Sequence, residues 1–317
     1  MLFRSTTDTL ALRKLRYQER AATSDQQYSG YYPSLNAAFN LTENVILRAA
    51  AAQTLGRPNL SNIIPGTTIS DASVTTSVPT ITVNNSGLKP WTARSYDLSL
   101  ESYQIKDGFG SVGVFQKEIK DFFTSVTTDA TPALLELYGL DGDPSLLNYR
   151  VTTLANGGDA KIKGVEFSYR QSLTFLPSWA RGFQVFANAT KLSLSGSRTA
   201  DFSGYAPKSL SGGVNFVRGR LALKWTISVL GDIPTGAVAA STTVAPNTFN
   251  YQAKRTRVGV NAQYTLSRRY SLYASIVDWG GFVQNLQRYA PTTPEYARPT
   301  RWQELGFYTN VGVRGSF

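Results

Sequence analysis

Carboxylates and guanidinium groups are the charged residues with which a search for chemistry in this 317-residue chain begins, because the sequence contains no His and no Cys. That absence excludes Ser-His-Asp catalysis, thiolate nucleophiles, disulfides and metal sites built on His or Cys. Charges of both signs fall at polar positions of alternating segments: Glu101, Glu118, Glu166, Glu304, Arg48, Arg170 and Arg314. A pair of these carboxylates could act as acid and base, but no spacing singles out a pair. We expect no enzyme activity and no cofactor, and we interpret the charges as lining a hydrated interior or contacting an inserted segment.

Strands are the elements that must position these charges. Apolar and polar residues alternate in segments of roughly ten residues that end in turn residues, a pattern typical of β-strands. The clearest segment runs from Val165 to Leu173, with Phe167 on the apolar face and Glu166 on the polar face. We predict eleven strands at about 29–40, 45–54, 94–104, 109–123, 165–173, 182–194, 207–217, 220–230, 257–266, 270–279 and 302–317, and 2–18 as a twelfth.

Connection length alternates along the chain. Tight or fairly short connections are predicted at 41–44, 106–108, 175–182, 217–220 and 267–269. An intermediate one is predicted at 195–206, and long ones at about 58–89, 128–158, 231–250 and 281–300. Outer-membrane barrels combine short periplasmic turns with long extracellular loops. The alternation therefore predicts an all-β fold, an antiparallel up-and-down transmembrane β-barrel. A soluble all-β fold with a half-buried sheet is the alternative, but such a sandwich gives no reason to collect long loops at one end.

Five sequence blocks stand in a characteristic order. They are YPSLN at 32–36 with LTEN, LRA and TLGRP up to 58; NNSGLKP at 84–90 with YDLSLESY at 96–103; VFQKEIKDF at 114–122; NGG at 156–158 with IKGVE at 162–166; and VGVRGSF at 311–317. This ordered set resembles the C-terminal part of the barrel of TonB-dependent outer-membrane receptors. It departs from the family pattern at Asn85-Ser86, Trp91, Gly315 and Val277-Asp278-Trp279.

The resemblance implies a fold and a domain assignment. Transporters of this family close 22 strands around a plug, so about 11–12 strands would form the C-terminal half of the barrel. We accordingly expect residues 1–317 to be the C-terminal portion of the barrel domain. The first twenty residues lack the apolar core of a signal peptide, and neither a plug nor a TonB box is recognisable. The expected location is the cell outer membrane.

The last strand carries the predicted site residues. Apolar side chains at every second position end on an aromatic, and the resemblance implies that this strand is read by the barrel-assembly machinery. The residues concerned are Val311, Val313 and Phe317. An ordinary edge strand is the alternative.

The resemblance also implies a function, the active uptake of a scarce solute driven by the TonB complex through the missing N-terminal part. The solute class stays open among siderophores, cobalamin and oligosaccharides. Loop aromatics that could stack on it or simply pack are Tyr138, Phe249, Tyr289 and Tyr296. An autonomous passive pore of about twelve strands is the alternative, and a surface β-protein for adhesion is a third hypothesis.

The charge balance concerns partners. With 32 Lys+Arg against 21 Asp+Glu the net charge is +11, which permits attraction to lipopolysaccharide phosphates or other outer-membrane lipid. No basic stripe with stacking aromatics is present, so no nucleic-acid partner is expected. Residues 131–147 predict a short helix within a loop, and NGG at 156–158 predicts a hairpin turn.

Overall fold

The computed structural model describes residues 27–70, 78–141, 143–196, 204–238 and 242–315. The predicted strand at 2–18 and the predicted site residue Phe317 lie outside these residues. Among the described residues, no helix is long and apolar enough to cross a membrane.

The described residues form seventeen strands and two short helices. In chain order the strands are β1 Ser34–Thr42, β2 Val45–Gly56, β3 Thr67–Ile69, β4 Thr80–Val83, β5 Trp91–Ser102, β6 Gly108–Asp129, β7 Arg150–Ser172, β8 Phe183–Gly196, β9 Lys208–Arg218, β10 Leu221–Leu230, β11 Ile233–Ala237, β12 Phe249–Gln252, β13 Arg255–Thr265, β14 Tyr270–Val283, β15 Leu286–Tyr289, β16 Pro299–Arg301 and β17 Glu304–Gly315. The helices are α1 Leu60–Ile63 and α2 Pro132–Leu137, and 3-10 turns lie at Pro144–Asn148 and Glu295–Ala297.

Eleven of these strands form a single antiparallel meander in the order β1-β2-β5-β6-β7-β8-β9-β10-β13-β14-β17. They coincide with the eleven strands predicted between residues 29 and 317, so the predicted all-β, up-and-down fold is confirmed. Among the described strands, β1 and β17 each have a neighbour on one side only. The described meander is therefore an open wall of strands and not a closed barrel.

The wall strands β6 and β7 are longer than predicted. They pair from Gly108–Gln171 to Asp129–Arg150, so the loop predicted at 128–158 shrinks to 130–149. The hairpin turn predicted at 156–158 is wrong, because NGG lies inside β7. The reason is a register shift at Asp121, whose φ is 57°. This bulge carries the two strands past a stretch that looks turn-like in sequence.

Asn156 explains why that motif interrupts the alternation. Its amide nitrogen donates to the carbonyl oxygens of Lys89 and Asp121 at 2.7 and 2.9 Å, and its carbonyl oxygen accepts from the Lys89 N–H at 2.8 Å. Asn85 makes a comparable anchor, donating to the Leu154 carbonyl at 2.8 Å. The family-like blocks around residues 85–90 and 156–158 thus tie one long connection to the bulge of the wall.

The main buried apolar cluster of the described chain lies at the long-connection end of the wall, around the start of β7. β4 pairs in parallel with the start of β7 and packs with α2 and the following 3-10 turn. The buried residues of this cluster are Ile81, Val83, Ala130, Leu135, Leu146 and Val151. The helix predicted within 131–147 is confirmed, with the Thr131 side chain capping α2 by accepting from the Leu134 N–H.

Candidate functional site

The wall has one apolar and one polar face, and the strand register shows which residue is on which. Leu98 lies opposite Val114, and Val114 opposite Val165, so these side chains share one face. The same face carries Trp225 opposite Val260. Four of these five side chains are exposed; Leu98, for example, is 46% exposed. A row of exposed apolar residues of this extent is typical of a surface covered by lipid.

The opposite face carries most of the predicted inward charges. The Arg48 Nε lies 3.0 Å from Glu101 Oε1 across β2 and β5. Glu166 and Arg170 alternate with the apolar Val165 and Phe167 on β7, so they share this face. Arg314 is opposite Ser271 and lies over the Tyr273 ring, 6.0 Å from its centroid. The structure therefore brings Arg48 and Glu101 together but gathers no acid pair from the predicted residues.

Two of the predicted inward glutamates are placed differently. Glu118 is opposite Arg94 and Lys161, two residues from Gln116 and four from Val114 on the apolar face. The prediction that Glu118 points inward is wrong, because the alternation of β6 runs through Val112 and Val114 and leaves even-numbered residues outward. Glu304 lies opposite Val283 at a register shift, where alternation no longer defines its face.

The predicted terminal-strand residues lie on the apolar face. Val311 is opposite Ala274 and Val313 is opposite Leu272. Their exposed fractions are 77% and 63%, as expected for a lipid-covered strand. Their role as an assembly signal, together with Phe317, stays a prediction.

A second sheet stands at the long-connection end of the wall, in the order β11-β12-β15-β16. It extends the β10–β13 and β14–β17 hairpins. Phe249 lies opposite Tyr289 and two residues from Tyr251, so all three rings share one face. Tyr251 and Tyr289 stack at 3.9 Å between centroids with 9° between their planes.

Polar groups surround this aromatic stack. The Tyr289 hydroxyl donates to Asp232 Oδ2 at 3.1 Å, and Asp232 Oδ1 accepts from the Lys254 N–H at 2.6 Å. The Arg298 guanidinium lies 4.7 Å from the centroid of the Tyr289 ring. Burial, followed by the charge of Asp232, raises the pKa of Tyr289 well above the ordinary value of a tyrosine.

The stack borders a cavity of about 670 Å³. Its lining includes Tyr205, Asp232, Phe249, Tyr251, Lys254 and Tyr289. The volume is in the range of pockets that hold small organic ligands. Flat aromatic faces beside ammonium and carboxylate groups can bind a ligand that combines planar groups with charge.

Of the four loop aromatics named from the sequence, two line this cavity, Phe249 and Tyr289. Tyr138 packs against the buried loop cluster, and that burial raises its pKa. Tyr296 is 88% exposed in a 3-10 turn. Sequence reasoning missed Tyr251, although its position two residues after Phe249 on one strand was a usable signal.

The described part of the chain holds no cluster of three or more acidic residues that could bind a metal ion. Asp143 instead caps the 3-10 turn that follows it. It accepts hydrogen bonds from the Ser145 N–H at 3.0 Å and from its hydroxyl at 2.6 Å. These bonds lower the pKa of the Asp143 carboxyl.

An antiparallel meander with a lipid-type outer face, a polar inner face and long connections at one end defines part of an outer-membrane β-barrel. The family model described as TonB dependent receptor-like, beta-barrel matches residues 4–286. The chain therefore belongs to the TonB-dependent receptor β-barrel family and is an outer-membrane protein. No curated protein matches it.

Solved structures share the fold. The ferric enterobactin receptor PfeA of Pseudomonas aeruginosa is 18% identical with a TM-score of 0.62, covering 90% of this chain and 40% of its own. The siderophore receptor PirA of Acinetobacter baumannii is 14% identical with a TM-score of 0.60, covering 91% and 41%. A complex of FpvAI with pyocin S2 is 14% identical with a TM-score of 0.58, covering 93% and 35%.

The chain thus spans about 40% of the length of the receptors it resembles. The family and these neighbours are receptors and not enzymes.

Proposed function

We propose that the protein to which this chain belongs is a TonB-dependent receptor that takes up a scarce solute of the siderophore class across the outer membrane. The observation that carries the proposal is the cavity beside Phe249, Tyr251 and Tyr289 at the long-connection end of the wall. Siderophores combine planar metal-binding groups with charge, and such groups suit stacked rings flanked by Lys254 and Arg298.

Residues 1–317 in this proposal are the C-terminal half of a 22-stranded barrel. The eleven meander strands and the 40% share of the receptors' length support it. The edges of β1 and β17 would then pair with strands from the rest of the protein, since unpaired backbone groups are not tolerated in lipid. The TonB complex would engage a segment outside this chain, and Val311, Val313 and Phe317 would be read by the barrel-assembly machinery. The chain itself would supply no catalytic group and no cofactor.

The test is uptake and binding by the full receptor carrying Tyr251→Ala or Tyr289→Ala. We expect each substitution to weaken binding of a radiolabelled ferric catecholate siderophore about tenfold, because one stacking ring is lost. Tyr296→Ala is the matched control, since that ring is exposed and lies outside the cavity lining. If all three substitutions weaken binding equally, the cavity is not the siderophore-binding site.

Uptake measured in cells with and without TonB distinguishes a receptor from a passive pore. In a strain without TonB, a receptor still binds the siderophore but no longer accumulates it. Accumulation that is unchanged without TonB would support the pore instead.

A further inference from the structure

Three lysines point outward on adjacent strands: Lys163 on β7, Lys191 on β8 and Lys208 on β9. We call them the outer lysine cluster. Lys191 lies directly opposite Lys208, and Lys163 is diagonal to Lys191 across β7 and β8. Residues directly opposite in a sheet have Cβ atoms about 5 Å apart, and diagonal neighbours about 7–8 Å. All three side chains are exposed.

Among the described residues, the cluster has no ion-pair partner. Like charges directly opposite each other destabilise a sheet. An anion bound between Lys191 and Lys208 would offset this repulsion. Within the described part of the chain, none of the three ammonium groups has an ion pair. Glu118 on the same face forms an ion pair with Lys161, with Nζ 2.7 Å from Oε1. Asp159 is four residues from Lys163, a separation of about 13 Å along a strand.

The cluster lies at the edge of the apolar belt, the band of exposed apolar side chains on the outward face of the wall. On the same face, β7 continues with Val165 and Phe167 and β8 with Ala189, while Leu210 follows Lys208 on β9. On its own strand, each lysine lies on the long-connection side of these apolar residues. In outer-membrane barrels that side faces the outer leaflet, so the ammonium groups lie where hydrocarbon gives way to lipid headgroups.

A groove of about 550 Å³ adjoins two of the three lysines. Among the residues lining it are Leu98, Val114, Lys163, Val165 and Lys191. These five share the outward face of the sheet. Apolar side chains beside two lysines suit an acyl chain next to an anionic headgroup.

We propose that the outer lysine cluster binds an outer-leaflet lipid whose headgroup carries phosphate. The phosphate would bridge Lys191 and Lys208, Lys163 would contact it from the side, and an acyl chain would run along the groove. The inference rests on the outer-membrane location of the chain and not on the transported solute.

The test uses the full receptor in a neutral detergent, with a diphosphorylated glycolipid as the probe and native mass spectrometry to measure bound lipid. A lysine near an anionic lipid surface contributes about a fivefold factor to affinity. The triple variant Lys163→Gln, Lys191→Gln, Lys208→Gln should therefore bind the probe on the order of a hundredfold more weakly. If the triple variant does not fold, Lys191→Gln alone should give about a fivefold loss.

The control variant is Lys106→Gln, Lys117→Gln, Lys224→Gln, which removes the same total charge. Lys106 is in a tight connection, and Lys117 and Lys224 are on the polar face. It should bind the probe as the parent does. An equal loss in the control, or equal binding of the glycolipid stripped of its phosphates, would overturn the proposal. Competition by inorganic phosphate as strong as by the lipid would reveal a free-anion site and also overturn it.

Siderophore uptake by the double variant Lys163→Gln, Lys191→Gln keeps this inference separate from the proposed function. This variant leaves Lys208 in place, because Lys208 also lines the cavity of the proposed solute site. We expect it to bind the probe about 25-fold more weakly and to continue uptake. A receptor that binds the lipid through the cluster but transports no siderophore would leave this inference intact and refute the proposed function.

Discussion

Arg257 and Asp278 form a two-point ion pair between β13 and β14, with Nε 2.7 Å from Oδ1 and Nη2 2.8 Å from Oδ2. Only 7% of the Asp278 side chain is exposed. Asp278 has a φ of 60° and begins the irregular stretch before Phe282, a conformation that Asp tolerates better than most residues. The pair therefore fastens a bulge of β14 to its neighbour, and the Arg257 guanidinium also lies 5.0 Å from the centroid of the Phe282 ring.

Breaking this pair should destabilise the wall. We expect Arg257→Met to lower the free energy of unfolding by about 2–3 kcal/mol, because it leaves a buried carboxylate without its charged donors. Urea titration of the full receptor in lipid vesicles measures the change. Arg150→Met is the control, since its partner Asp129 is 87% exposed, and it should cost less than about 1 kcal/mol. Similar losses of unfolding free energy for the two variants would contradict a stabilising role of the Arg257–Asp278 pair.

Gly164 is required by close packing and not by its backbone angles. A Cβ at this position would overlap the Phe115 ring and come within 2.9 Å of Leu192 Cδ2. We expect Gly164→Ala to lower the free energy of unfolding by about 1–3 kcal/mol through overpacking. Adding Phe115→Leu should recover part of the loss. Gly236→Ala, where nothing lies within 4 Å of the added Cβ, should leave stability unchanged; a loss there as large as at Gly164 would rule out overpacking as the cause.

The raised pKa of Tyr289 predicts that the stability of the second sheet, β11-β12-β15-β16, depends on pH. A tyrosine in water ionises near about pH 10, so the neutral phenol of Tyr289 contributes stability in full below that pH. The contribution falls as pH rises through the higher pKa of the folded state. Phenolate absorbance of the parent minus Tyr289→Phe should therefore appear above the ordinary range. Asp232→Asn should lower the pKa of Tyr289, and Asp143→Asn, outside the cavity lining, should not; an unshifted curve with Asp232→Asn would refute the electrostatic part of this account.

The two faces of the last strand should tolerate charge differently. Val311→Arg places a guanidinium on the lipid face and should cost about 2–4 kcal/mol if Val311 lies near the bilayer midplane. Asn310→Arg, next in sequence but opposite Ser275 on the polar face, should cost less than about 1 kcal/mol. Unfolding in vesicles compares the two. The orientation of β17 would be wrong if the two substitutions cost the same.

Phe317 provides a test of the assembly prediction. Phe317→Ala should reduce the amount of heat-modifiable receptor in the outer membrane of cells. It should leave refolding of the purified receptor into lipid vesicles unchanged, because the proposed role is recognition by the assembly machinery. A defect in both settings would point to stability instead.

Much of the wall could be predicted because alternation of apolar and polar residues acts locally. Spacing alone predicts which face of the sheet carries Val165, Phe167 and Glu166. The tight connections can be recognised because they are short. Glu118 was misplaced because its strand bears polar residues on the outward face beyond the apolar belt, where alternation does not tell polar-out from polar-in. The bulges at Asp121 and Asp278 were also hidden, since a single extra residue leaves no reliable mark in composition.

The sequence by itself determined the family, the strand count of the wall and the chemistry that is ruled out, because those follow from residue types and local periodicity. Only the tertiary structure decided which distant residues meet. The pairing of β12 with β15 places Tyr251 on Tyr289, and the registers of β7, β8 and β9 place Lys163, Lys191 and Lys208 in one outward cluster. Register depends on hydrogen bonding between strands far apart in the chain, and no local pattern encodes it.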